Sequence, residues 1–176
     1  ESSEKAVKIA EENKNTWAII GLHPADDPNE VFDIDFYKQL ALHPKVVGIG
    51  ETGFDYYHRP ITDKARQQEI FEKHIAIANE VKKPLMLHLR NGMKGESAYV
   101  DALDILKKHA KIHGDVHFYA GNTEDAHEFI KLGFKLSFTG VITFARNYDE
   151  VIKNIPLNMI MTETDAPFVA PVPYRG

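Results

Sequence analysis

Short apolar runs alternate along the chain with segments whose apolar residues recur every three or four positions. The runs lie at 17–22, 46–50, 84–87, 116–118, 134–138 and 158–161. They are continuous rather than alternating, which suits parallel strands covered by helices. The clearest helical pattern is 63–81, where Ile70, Phe71, His74, Ile75, Ala78 and Val81 share one face. Thr62 is its candidate N-cap, and Pro84 forbids much continuation. Further helices are expected at 4–13, 34–42, 98–110 and 148–154, and another starting at Thr123 with Glu124 and Asp125 in its first turn. Strand followed by helix, repeated, predicts an α/β fold, either an open doubly wound sheet or a closed barrel.

Composition narrows the picture. The chain has 176 residues, 43% hydrophobic and 27% charged, as expected of one globular domain. No apolar run approaches the roughly 18 residues of a membrane span. The start is charged and helix-prone, so a cytoplasmic location is the default expectation. Cysteine is absent, which excludes disulfides and thiolate metal sites. With a net charge of −5 and no basic stripe, any phosphate chemistry must rest on a few local cations or on bound metal. Neither a GxGxxG fingerprint nor a Walker-type loop is present, which lowers the nucleotide-binding alternative.

Several runs finish in residues able to hold metal. VVGIG leads into Glu51, PLMLH ends at His88, DVHFYAG carries His117, and NMIMTETDAP delivers Glu163 and Asp165. Barrel enzymes gather their chemistry at the carboxyl ends of parallel strands, where residues distant in sequence meet. Any one of these side chains has a plainer explanation: Glu51 as a turn cap, each histidine as a packed core residue. Four at matching strand ends favour a metal site. Two imidazoles and two carboxylates suit Zn²⁺, Mn²⁺ or another borderline divalent ion. The expected chemistry is hydrolysis by a metal-activated water, with Asp165 as proton acceptor.

GETGFDYYH, MLHLRN, HFYAGN and ETDAP, in that order, resemble the TatD family of metal-dependent deoxyribonucleases. GLHP at 21–24 and APVPYRG at the end fit the same family. The resemblance implies a TIM-like (β/α) barrel of the amidohydrolase type and two divalent ions (Mg²⁺, Mn²⁺ or Zn²⁺) in a complete site. It also implies hydrolysis of DNA, single-stranded or at 3′ ends, in repair or turnover. By position, Glu51 matches the bridging glutamate, His88 and His117 the two later histidine ligands, and Asp165 the metal-binding aspartate. Arg90, in HLR, and Arg175 are implied phosphate contacts, although Arg90 equally suits a structural salt bridge. His23 is placed beside the site as a substrate or supporting residue, and Glu163 as a partner for a ligand imidazole. Asp55 and Tyr56 are expected to structure a loop, and His58 to face substrate. Phe54, Tyr56, Tyr57, Phe118 and Tyr119 are candidates for stacking on unpaired bases. His43, His74, His109, His113 and His127 are assigned to surface or packing.

The family opens with a strand carrying an HxH pair, and nothing here matches it. Six of eight barrel strands are expected, in one domain incomplete at both ends and monomeric by default. A small amide, ester or lactone remains the alternative substrate class, because fold does not fix chemistry.

Overall fold

The protein is described by a computed structural model over residues 2–58 and 64–175. It forms two compact units, Glu1–Gly114 and Asp115–Gly176. The first holds α1 (Ser2–Glu12), β1 (Ala18–Ile20), α2 (Ile34–Ala41), β2 (Val46–Asp55), α3 (Lys64–Val81), β3 (Leu85–Arg90) and α4 (Ala98–His109). There β2 is central, parallel to β1 on one side and to β3 on the other. At the boundary, β4 (Gly114–His117) leads into α5 (Thr123–Lys131), β5 (Lys135–Phe138), α6 (Asp149–Asn154) and β6 (Ile160–Thr162). In the second unit β5 pairs in parallel with β4 and β6.

The helices begin where the sequence supplies caps. Asp33 accepts from the N–H groups of Asp35 and Phe36, Ser97 from Val100, and Asn122 from Asp125. The expected cap Thr62 lies outside the described residues. Each helix turns apolar residues inward: Ile70, Phe71, Ile75 and Ile77 of α3 are buried with Ile49, Phe54 and Leu85 of β2 and β3. In the second unit, Val116, Phe129, Phe134 and Leu136 are among the buried residues. Among the described residues no helix is long and apolar enough to cross a membrane.

Strand limits depart from the sequence reading at several places. β2 does not stop at Gly50 but runs on to Asp55, so Glu51 sits inside a strand rather than after one. Its pairing with β3 slips between Ile49 and Thr52, and this irregularity re-aims the residues around Glu51. β1 covers only Ala18–Ile20, and residues 157–159 make a 3₁₀ turn before β6.

Candidate metal centre

Within the first unit, β2 and β3 bring Glu51, Asp55 and His88 together. His88 Nδ1 lies 2.8 Å from Glu51 Oε1, and Nε2 lies 3.0 Å from Asp55 Oδ2. The imidazole is thus held between two carboxylates of different exposure, Asp55 at 1% and Glu51 at 31%. Burial alone would push His88 down, but hydrogen bonds and charge from Asp55 and Glu51 outweigh it and lift the group to about 9. Asp55 also accepts from His58 Nδ1 (2.8 Å) and from the backbone N–H groups of Tyr57 and His58. Against the penalty of burial, the bonds from His88 and His58 hold its carboxyl well below the ordinary carboxylate range.

His23 joins this group from the corner after β1. One ligand atom each from His23, Glu51 and His88 lies within 4.8 Å of the others. Two imidazoles and a carboxylate so placed are a donor set that fits a divalent ion. The hydrogen bonds nevertheless distinguish the two rings. Ala25 N–H donates to His23 Nδ1 at 3.1 Å, and a neutral imidazole has only one acceptor nitrogen. Nε2 of His23 therefore carries the proton and points as a donor toward Glu51 Oε1, 3.8 Å away. Burial first, and the neighbouring His88 second, lower the His23 pKa, which favours the neutral ring. In this arrangement Glu51 and His88 are the ligand candidates and His23 is a donor beside them.

The second unit repeats the pattern with different residues. His117 Nδ1 contacts Glu163 Oε2, while its Nε2 faces Asp165 Oδ1 at 3.8 Å. Again one carboxylate is the more enclosed, Glu163 at 15% against Asp165 at 38%. Glu163 Oε1 also accepts from Phe118 N–H (2.7 Å) and Ser137 Oγ (2.5 Å). Burial would raise the Glu163 pKa, but the His117, Ser137 and Phe118 hydrogen bonds lower it on balance. An enclosed carboxylate on one ring nitrogen fixes tautomer and orientation, leaving the other nitrogen directed at the more exposed acid.

Behind this pair lies Asp115, whose Oδ2 is 2.7 Å from Ser137 Oγ, the hydroxyl whose single hydrogen it shares with Glu163 Oε1. The sequence reading missed it. Asp115 precedes His117 by two residues on a strand, and the same alternation that linked Glu163 to Asp165 would have marked it. Burial lifts its carboxyl from an ordinary 3.8 to about 6, with the Glu163 charge adding to the rise. A folded pKa above the unfolded one means stability present below pH 3.8 and lost as pH climbs through 6. Asp115→Asn in the metal-free protein should therefore match its parent near pH 4 and exceed it by up to roughly 3 kcal/mol at pH 7. Urea unfolding at the two pH values reads the difference. A gap independent of pH would refute the assignment. His74, which burial lowers from 6.5 to about 4, titrates with the opposite sign and cancels between parent and variant.

The remaining sequence candidates make other contacts. Arg90 is exposed, with its guanidinium 4.3 Å from the centre of the Tyr57 ring. Arg175 stacks on Phe144 at 3.5 Å. Asp55 does structure the turn after β2, but it also holds His88, which the sequence reading did not anticipate. Of the five aromatic candidates, Phe54, Tyr56 and Tyr119 are 0%, 4% and 0% exposed and belong to the core, so they are withdrawn as stacking platforms. Tyr57 is 45% exposed and Phe118 is half-buried. His43 pairs with Glu11, His127 meets the Asn154 carbonyl, and His109 and His113 are exposed.

Parallel strands alternating with helices, carrying imidazoles and carboxylates at and beyond their carboxyl ends, define the α/β barrel class of metal-dependent hydrolases. The chain belongs to the TatD related DNase family, whose model matches residues 1–176. It is 38% identical over 169 residues to YcfH of Escherichia coli K12, called a metal-dependent hydrolase, a match covering 94% of this chain and 61% of that protein. It is 39% identical over 178 residues to the similarly named YabD of Bacillus subtilis, covering 98% and 67%. A human relative named 3′-5′ RNA nuclease TATDN2 is 33% identical over 165 residues, covering 88% of this chain and 20% of its own length. The crystal structure of the TatD homologue YjjV from E. coli K12 superposes with a TM-score of 0.84 at 27% identity, covering 98% of this chain and 66% of that one.

Proposed function

We propose that the protein is a divalent-metal-dependent nuclease that hydrolyses phosphodiester bonds of DNA, working from 3′ ends on single strands. Glu51, His88, His117 and Asp165 are its metal ligands, within a single barrel domain. The observation that carries this reading is the twice-repeated arrangement of one imidazole between an enclosed and a more exposed carboxylate. Mg²⁺, Mn²⁺ or Zn²⁺, two per complete site, would supply an activated water and charge stabilisation when bound. Asp55 and Glu163 hold the imidazoles in place. Asp165, at 38% exposure, is the acid open enough to take up the proton of the attacking water. His23 offers Nε2–H to a phosphate oxygen, Arg90 and Arg175 supply cations, and Tyr57 presents a ring face for an unpaired base.

The test is degradation of 3′-labelled single-stranded DNA, and of RNA of the same sequence, by full-length protein stripped with EDTA and resupplied with each metal. Metal-dependent loss of label from DNA, abolished in Asp165→Asn, is expected. Cleavage of RNA alone would move the substrate to RNA, the polymer named for the human relative. Bound metal with neither polymer cut would overturn the nuclease reading in favour of a small amide, ester or lactone.

A further inference from the structure

His74 sits on α3 with no exposed surface, among apolar neighbours where a histidine has no packing advantage over phenylalanine. Its ring lies 4.5 Å from Phe32 and 6.0 Å from Tyr37. Every polar atom of the ring is engaged. Nδ1 is 2.8 Å from the Ile70 carbonyl oxygen and 3.1 Å from Thr52 Oγ1, while Nε2 accepts from Leu22 N–H at 3.1 Å. A carbonyl only accepts, so the proton is on Nδ1 and Nε2 is the acceptor.

These contacts fall beside the candidate centre. Leu22 immediately precedes His23, and Thr52 immediately follows Glu51. One imidazole therefore joins the corner after β1 to the middle of β2, at the positions flanking the two side chains whose polar atoms stand 3.8 Å apart. The same helix reaches β2 again two turns earlier. There Gln67 Oε1 accepts from Asp55 N–H at 2.8 Å, and its Nε2 donates to the Asp55 carbonyl at 3.3 Å. Gln67 and His74 are the two buried polar side chains of α3, seven residues apart on one face. On both occasions the bonds go to the strand or corner that carries the centre.

We propose that His74 is a positioning residue, a neutral buried bracket that sets the spacing of His23 and Glu51. The proposal rests on the reading of Glu51 and His88 as metal ligands, but its contacts can be tested apart from it. His74→Phe keeps the ring volume against Phe32 and Tyr37 and removes the bonds to Leu22 and Thr52. Ile77→Ala, a buried apolar truncation later on α3, is the control for a general loss of stability.

Two measurements on the full-length protein decide the matter at a temperature where all variants are folded. The first is Co²⁺ binding, followed by its visible absorption band. His74→Phe is expected to weaken binding by about 10–100-fold and alter the band, as loss of a supporting partner does, while Ile77→Ala leaves both near the parent. The second is hydrogen exchange at the Leu22 amide, expected to accelerate in His74→Phe beyond any change in Ile77→Ala. Leu22 exchange unchanged in His74→Phe, or Co²⁺ binding equally weakened in both variants, would overturn the bracket. If the parent itself binds no Co²⁺, the metal reading fails instead, and Leu22 exchange alone then supports or rejects the bracket.

Discussion

Glu51→Ala should reduce metal-dependent hydrolysis by at least about 10³-fold, since a bound metal contributes several kcal/mol and each 1.4 kcal/mol is roughly tenfold. The fold should survive. Glu51 is 31% exposed, and its removal leaves His88 attached to Asp55 through Nε2 and His23 attached to the Ala25 amide. A stability change within about 1 kcal/mol is expected of such a site. Asp165→Asn should behave alike, because His117 keeps Glu163 on its other nitrogen. Asp55→Ala should not. Its carboxylate is 1% exposed and accepts from two imidazoles and two backbone amides, so truncation strips partners from buried donors. A loss of about 2–4 kcal/mol is expected there, together with lost turnover. Thermal unfolding and turnover measured on the three variants separate the roles. Unfolding of Glu51→Ala where the parent stays folded would mean that Glu51 holds structure rather than metal.

The division between exposed and enclosed carboxylates was only half legible in the sequence. Elements were readable because their signals are local: Asp33, Ser97 and Asn122 cap helices, and the apolar face of α3 repeats at helical spacing from Ile70 onward. The residues that carry chemistry at strand ends stood out because a charge after an apolar run is conspicuous. What supports them did not stand out. Asp55 was assigned to a loop because β2 was expected to stop at Gly50, and the irregular pairing that prolongs the strand depends on β3. Ser137 is an unremarkable polar residue in FKLSF until Asp115 and Glu163 are seen to share its hydroxyl. His74 was assigned to packing, which is true of its ring and omits its nitrogens. Hydrogen bonds spanning 52 residues, as between Leu22 and His74, have no sequence periodicity to betray them.

The irregular stretch of β2 also locates the substitution with the largest expected effect on stability. At Gly50 the backbone has φ +152°, and an added Cβ would be driven against the Met86 carbonyl oxygen and within 2.9 Å of Met86 Cβ. On the other side, a Cβ at Gly21 would come within 2.6 Å of the Gly50 carbonyl carbon, so the backbones of three adjoining segments already touch here. A backbone carbonyl cannot swing aside as a side-chain tip can. Gly50→Ala should therefore cost about 3 kcal/mol or more, from conformational strain and overpacking together. It should also weaken Co²⁺ binding, because Glu51 follows directly and His88 lies two residues beyond Met86. Gly95 isolates the conformational part: its φ is +92°, yet a Cβ there meets nothing within 4 Å. Gly95→Ala should cost only about 1–2 kcal/mol and leave Co²⁺ binding unchanged. Urea unfolding and Co²⁺ titration of the pair measure the contrast. Equal losses in the two would show that crowding at Gly50 is relieved by strand movement, and that the centre tolerates a shift between β2 and β3.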